Sequence, residues 1–376
     1  MKRKKAAIIG TSNALMRDGW VNQTRAAALQ SGWHYANRSI GGSSSLLGAY
    51  LLATDDEVRR ADRIILDFCI NDQVFIALGQ ATLNHVLGHY ASMFHSLKKQ
   101  KALDRVLVLM FPPQKVDDAL FESLCGLFDR IGVRYMDMRP KISEWLGATG
   151  RDGAEAYSDA FHFSPALQQH IGELILQDLV TPDAMPGKDM AFRRWLFKRQ
   201  PLGLVDLAIE AQGQERCQVG TSVIQRSAHR FSQGDQFHVS GALLLLAAHI
   251  WATRDSGVVT VRGVDQGFRV HLRRDYSGLF IFDSIFAPVA LAERALVEVR
   301  NDLTAPFQLM RGQKSSIYDD TGSTVEIIAL VGASYPPAQL GEAVRDRLSA
   351  PRAASSLLWR VRRFLLSRRL AGRSPD

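Results

Sequence analysis

Ser12, Asp159 and His162 are the side chains whose types and spacing point to nucleophilic chemistry. A serine hydroxyl is a weak nucleophile until an imidazole takes its proton, and the imidazole in turn needs a carboxylate to orient it. Asp159 precedes His162 by three residues in DAFHFSP. That spacing arises often by chance, so the reading depends on a nucleophile and oxyanion donors elsewhere. Ser12 follows the apolar run AAIIG, which places it at a strand-to-helix turn with its hydroxyl and its own N–H presented. Gly41 and Gly42 follow WHYANRSI, where the missing side chains permit close backbone approach. Asn71 follows RIILDFCI and carries a side-chain amide. Acyl transfer passes through a tetrahedral oxyanion that needs two or three preorganised donors. The N–H groups of Ser12 and Gly42 and the Asn71 amide can supply them. Taken singly, Ser12 reads as a helix cap, Gly42 and Asn71 as turn residues and His162 as a packed loop residue. It is the ordered set that carries the chemistry.

The elements that must position these groups alternate. Short runs rich in Ile, Val and Leu (AAIIG, RIILDFCI at 63–70, RVLVLMF at 105–111, VRYMDMR at 133–139) are interleaved with amphipathic stretches. This predicts parallel βαβ units, hence an α/β sheet with helices on both faces, and sites in such sheets assemble at the carboxyl ends of the strands. After DAFHF a helix start is written in: Ser164 can cap, Pro165 suits the first helical position, and Leu167, Ile171, Leu174 and Ile175 form an apolar stripe. His162 therefore belongs to a loop just before a helix.

The order of these blocks, GTSN, NRSIGG, IND and DAFH, resembles that of the SGNH hydrolases, also called GDSL esterases and lipases. The resemblance covers about residues 6–180. It implies a flavodoxin-like three-layer α/β/α domain, an acyl-ester substrate, catalytic roles for Ser12, Asp159 and His162, and an oxyanion hole made by Ser12, Gly42 and Asn71. The chain departs from the family pattern at Gly10-Thr11-Ser12, where the family has Gly-Asp-Ser, and at Cys69, where it has Gly. Neither change removes a catalytic group.

With 376 residues, two domains are expected. Past TPDAMPGKDM the pattern changes to short β-like runs (GLVDLAIEA, GVVTVRG, GFRVHL, GLFIF, ALVEVRN, TVEIIALVG), which predict a β-rich, sandwich-like second domain. We divide the chain into a catalytic domain at 1–180, a linker at 181–201, a β-rich domain at 202–345 that is a candidate carbohydrate binder by fold-level analogy, and a basic tail at 346–376. In the tail Leu357, Leu358, Val361, Phe364 and Leu365 make a helical stripe, which Arg368 interrupts. Residues 1–180 carry 20 Lys or Arg against 19 Asp or Glu, while 349–376 carry seven Arg and one Asp. The net charge of +8 is thus mostly a tail. That argues against a nucleic-acid-binding body and suits peripheral contact with an anionic membrane.

Three separated cysteines suit a reducing compartment, the basic start is followed by too few apolar residues for a signal peptide, and no run reaches a spanning length. The expected location is the cytosol, with contact at the inner face of the membrane through the tail. His85 and His89 sit four apart without the carboxylate of a zinc-protease signature, no phosphate loop or dinucleotide fingerprint follows the first strand, and His229, His238, His249 and His271 have no ligand-like spacing. No metal or cofactor is expected. The function read from the sequence is hydrolysis of an O-acyl, preferably O-acetyl, ester on a sugar or glycan precursor. The alternatives are O-acyl transfer to a polysaccharide or glycolipid and a non-catalytic glycan-binding role.

Overall fold

Ala6 and Ile8 of the first strand are buried in one hydrophobic core and Ala7 and Ile9 in another. The same alternation recurs in the next central strands, with Ile65, Leu107 and Leu109 on the first side and Ile64, Leu66, Val106 and Val108 on the second. Strands buried on both faces are continuously apolar, and such strands belong to parallel sheets covered by helices on both sides. The computed structural model describes residues 3–349 apart from 116–117, 182–186, 212–214, 221–224, 254–255, 265–266, 272–278, 301–306 and 309–323. The predicted tail helix lies outside the described residues.

Its first half runs β1 (Lys4–Gly10), α1 (Trp20–Gln30), β2 (Trp33–Asn37), α2 (Ser45–Thr54), α3 (Asp56–Arg59), β3 (Arg63–Asp67), α4 (Cys69–Ala77), α5 (Leu83–Lys99), β4 (Val106–Met110), α6 (Asp118–Ile131), β5 (Arg134–Asp137), α7 (Met138–Thr149) and α8 (Pro165–Val180). The strands pair in the order β2-β1-β3-β4-β5, every pair parallel. This is the flavodoxin-like order, with its switch point between β1 and β3. The predicted three-layer domain is present. One boundary differs: RIILDFCI does not stay extended to Ile70, because the strand ends at Asp67 and Cys69 already begins α4. Asn71 therefore sits in the first turn of a helix. Pro165 opens α8 as read, and Gly172 of α8 lets α1 approach so closely that a Cβ there would meet Thr24 and the Trp20 carbonyl.

Residues 181–201 contain α9 (Met190–Leu196), which Asp189 caps through the N–H groups of Ala191 and Phe192. Phe192 and Leu196 join the first domain's core. Beyond it come β6 (Val205–Asp206), β7 (Ala208–Glu210), β8 (Glu215–Gly220), β9 (Gln225–Ser232), β10 (Gln236–Ser240), β11 (Leu244–Ala252), β12 (Val258–Arg262), β13 (Gly267–His271), β14 (Leu279–Ala290), β15 (Ala295–Glu298), β16 (Phe307–Gln308) and β17 (Thr324–Ala333). They form one sheet ordered β16-β13-β12-β15-β10-β7 and another ordered β14-β11-β17-β9-β8, with β6 on β17. Both sheets feed one core that includes Phe231, Phe237, Val239, Ile250, Val297 and Ile327. This is the β-rich, sandwich-like domain that the sequence predicts.

The second sheet also faces the first domain. Leu246, Phe282, Ala329 and Val331 belong to the same core as α2, α5 and β4. The final helix α10 (Pro337–Ser349) returns to α5, and Gly88 and Gly341 are the points of closest approach: a Cβ at either would collide with a carbonyl of the opposite helix.

Candidate active site

Ser12 begins a single 3-10 turn (Ser12–Ala14) directly after β1. Gly10 is required there, because it pairs with Asp67 of β3 and a Cβ would stand 2.8 Å from the Asp67 Cβ. His162 lies in the loop before α8, a short excursion closed by the Tyr157–Phe163 bridge and by the Ser158 N–H donating to the His162 carbonyl at 2.8 Å. The two segments meet: Ser12 Oγ is 2.7 Å from His162 Nε2, and His162 Nδ1 is 2.7 Å from Asp159 Oδ2.

The second oxygen of Asp159 accepts the N–H groups of Phe161 at 2.8 Å and His162 at 2.9 Å. Partial burial works to raise the Asp159 pKa, but the bonds from the His162 ring and the Phe161 N–H outweigh it and hold the carboxyl below its ordinary value. An ionised carboxylate only accepts, so His162 donates from Nδ1 and leaves Nε2 to accept the Ser12 hydroxyl. Asp159 is 55% exposed and His162 27%. The carboxylate is therefore an orienting group in contact with solvent.

The predicted oxyanion donors sit on two neighbouring pieces. Ile40–Ser43 form a turn in which Gly42 has φ +74, left-handed backbone that favours glycine. The turn is fastened to β1 by the Ile40 N–H on the Gly10 carbonyl at 3.1 Å. Asn71 is buried, and its amide donates to the Ser43 carbonyl at 2.9 Å. An amide nitrogen carries two hydrogens, so this bond fixes the side chain and is compatible with donation to a second acceptor.

Several residues that sequence reasoning did not assign hold this arrangement. Asn13 is fully buried; its amide donates to the Phe161 carbonyl at 3.1 Å, and its oxygen accepts the Gln168 amide at 2.8 Å and the Phe163 N–H at 3.4 Å. Gln168 then accepts the Trp20 N–H at 3.0 Å. One side chain thus ties the Ser12 turn to the histidine loop and to α8. The signals were a polar residue directly after the nucleophile and a glutamine one place beyond Leu167 of the α8 stripe. Asp67, beneath Gly10, is wholly buried; burial pushes its pKa up to about 8, only partly offset by the backbone N–H of Thr11. Asp72 accepts the Ser45 N–H at 2.9 Å, and burial raises it to about 7. Ser45 Oγ lies 3.0 Å from Nδ1 of His89, which burial lowers to about 3. His89 is thus a packed core residue and His85 part of the capping box of α5 with Thr82, as the structural reading of that pair expects. Among the described residues no group of three His, Cys, Asp or Glu side chains could hold a metal ion, and no helix is long and apolar enough to cross a membrane.

Among solved structures, the chain is similar to a two-domain esterase active on acetylated mannans, in a crystal structure with mannopentaose, at TM-score 0.60 and 12% identity over 89% of this chain and 91% of that one. A second structure of such a two-domain esterase aligns at TM-score 0.59 and 12% identity over 89% and 92%. No protein-family model matches the chain, and no curated sequence matches it. The likeness spans both halves and gives the fold: a three-layer α/β/α domain followed by a β-rich domain.

Proposed function

We propose that this chain is a serine-dependent esterase that removes an O-acyl group, preferably acetyl, from a sugar or glycan. The observation that carries this reading is the continuous Ser12–His162–Asp159 hydrogen-bonded chain at the carboxyl edge of the sheet. The activity of the similarly folded esterases on acetylated mannans supports the choice of substrate class.

In this mechanism Ser12 Oγ attacks the ester carbonyl as its proton passes to His162 Nε2. Asp159 holds the ring and stabilises the imidazolium that forms. The oxyanion is met by the N–H groups of Ser12 and Gly42 and by the Asn71 amide. The tetrahedral intermediate collapses, the C–O bond to the sugar breaks, and the proton on Nε2 goes to the departing alkoxide. Acyl-Ser12 is then cleaved by an oxygen nucleophile that His162 deprotonates. With water the product is the free acid; with a glycan hydroxyl the reaction is O-acyl transfer.

The test is acetate release from an aryl acetate with and without an added glycan acceptor. Turnover by the native chain that is lost in Ser12→Ala supports the esterase reading, and a rate that depends on acceptor converts it to transfer. A correctly folded chain with no turnover and no acyl burst leaves a non-catalytic role. We further place the protein in the cytosol, held at the inner membrane face by its basic tail.

A further inference from the structure

A cleft of about 560 Å3 lies between the β2–α2 side of the first domain and the sheet containing β11 and β17. This is an ordinary size for a small-ligand site. One wall is the segment 37–40 with Tyr50; the other includes Asp206, Arg226, His249 and Phe280. The first wall is fastened to the nucleophile's strand at both ends. Asn37 donates to the Ala14 carbonyl at 2.7 Å, and Ile40 donates to the Gly10 carbonyl at 3.1 Å. This wall is therefore tied to the segment that carries Ser12 and leads in sequence into the turn that carries Gly42, although neither residue itself lines the cleft.

Two lining side chains, one from each wall, are more than nine-tenths buried and have a polar atom with no partner among the described residues. They are Ser39 Oγ, in a residue 7% exposed, and His249 Nε2, in a residue 8% exposed. Buried polar atoms almost always find partners, so two unmet ones on opposite walls of one cleft point to groups that a ligand brings. Burial also lowers the His249 pKa to about 4, which keeps the ring neutral near pH 7. Two rings of the lining accompany these groups: half-buried Phe280, 6.2 Å from His249 and 4.7 Å from Trp251, and Tyr50, which stacks at 5.5 Å on Phe282 of the core behind it. The Tyr50 hydroxyl donates to Asp206 Oδ1 at 2.7 Å and pins the two domains together across the floor.

The lining chemistry favours a neutral ligand. Asp55, Asp56, Glu57 and Asp206 line the cleft beside Arg38 and Arg226, but Arg38 pairs with Asp55 and Glu57, Lys5 with Glu57, Arg59 and Arg60 with Asp56, and Tyr50 with Asp206. Among the described lining residues an anion therefore meets carboxylates and cations that already have partners. Hydroxyls that both donate and accept suit a serine and a neutral histidine, and apolar ring faces suit the C–H surface of a pyranose.

We propose that this junction cleft is a binding subsite for a neutral carbohydrate chain, holding sugar residues next to the one that bears the ester. Its link to catalysis rests on the acyl-Ser12 reading; the binding itself does not.

The experiment titrates the full-length Ser12→Ala protein by calorimetry with neutral manno-, gluco- and xylo-pentaose and with an oligogalacturonate of equal length. At least one neutral sugar binds, the anionic oligomer binds at least about tenfold more weakly, and Phe280→Ala and His249→Gln each weaken binding about tenfold, a loss of about 1.4 kcal/mol. Melting curves confirm that the variants fold, and Ser39→Ala substitutes for any that does not. On the Ser12-containing protein, the same changes raise KM for an acetylated oligosaccharide about tenfold with kcat within about twofold, the pattern of lost uniform binding. No binding by any neutral sugar, equal binding of the anionic one, or undiminished affinity in folded variants overturns the proposal. Sugar binding without aryl acetate turnover sinks the catalytic reading alone; turnover without sugar binding sinks the cleft alone.

Discussion

Ser12 Oγ and His162 Nε2 stand 2.7 Å apart although 150 residues of chain separate them. The end of β1 supplies one partner and the loop before α8 the other. Because such a pair acts as a unit, Ser12→Ala and His162→Ala should each cost roughly 10⁴–10⁶ in kcat. Asp159→Asn should cost about 10²–10⁴, since the orienting carboxylate is half exposed and solvent replaces part of its effect. Steady-state turnover of an aryl acetate checks this; near-native kcat in a folded Ser12→Ala protein rules the mechanism out.

In the proposed mechanism Asn71→Ala removes a donor aimed at charge that exists only in the transition state. We expect kcat to fall by about 10²–10³ with little change in KM. The substitution also frees the Ser43 carbonyl, so the melting temperature should be recorded beside the kinetics. A stability loss at unchanged specific activity would make Asn71 purely structural.

Asn13→Ala breaks the ties from the nucleophile turn to the Phe161 carbonyl, the Phe163 N–H and Gln168. Stranding buried Gln168 should cost about 1–3 kcal/mol of stability. Loosening the histidine loop should lower kcat by up to about 10². Asn13→Asp retains the acceptor and should recover part of the stability. Calorimetric melting and kcat on the same preparations check both effects.

How much of this was legible follows from what each residue needs. β1, β3 and β4 were readable because strands buried on both faces are continuously apolar, β5, a half-buried edge strand of sequence RYMD, only from its place in the alternation, and α8 because its proline and apolar stripe are local signals. Ser12, His162 and Asp159 were readable because their chemistry restricts residue type. Asp67, Asn13 and Gln168 were not, since nothing local marks a polar residue as buried: only the packing of β1 on β3 and of α1 on α8 encloses them. The early end of the third strand was hidden because Phe68, Cys69 and Ile70 suit a buried strand as well as a buried first helical turn. α9 escaped notice because 181–201 opens on turn residues while its packing partners, Phe192 and Leu196, are only two apolar anchors.

Stability should depend on pH in a way set by buried groups. Asp67 and Asp72 titrate near 8 and 7 in the folded chain, far above an unfolded carboxyl, so the native state binds more protons and stability falls as pH rises up to about 8. His89 and His249 have lowered values, which makes stability rise with pH up to the ordinary histidine value near 6.5. Below about 6.5 the two trends oppose each other; between about 6.5 and 8 only the carboxyls act. The melting temperature should therefore drop across that upper window, and Asp67→Asn should flatten the drop. A flat profile in the native protein, or an unchanged slope in the variant, contradicts the assignment.

The Arg130 guanidinium donates to the carbonyls of Arg347 and Leu348 at 2.9 Å each and fixes the end of α10. Arg199 and Arg347 both lie over the Trp195 ring, at 4.8 and 5.9 Å, so a cation just past α9 and one of α10 converge there. Lys188, Arg194, Lys198 and Arg345 are exposed on these same segments. Glu342 and Asp346 are exposed on α10 as well, and the seven arginines of 349–376 follow these segments in sequence. Each basic residue near an anionic leaflet contributes about 1 kcal/mol, and salt screens the attraction. Full-length protein should sediment with phosphatidylserine-containing vesicles at low salt and be released at high salt, whereas a chain ending at Ala350 should bind weakly. Lys198→Glu with Arg199→Glu in that shortened chain should abolish what remains. Equal sedimentation of the full-length and shortened chains removes the tail from membrane contact, and binding to neutral vesicles alone makes the contact apolar rather than electrostatic.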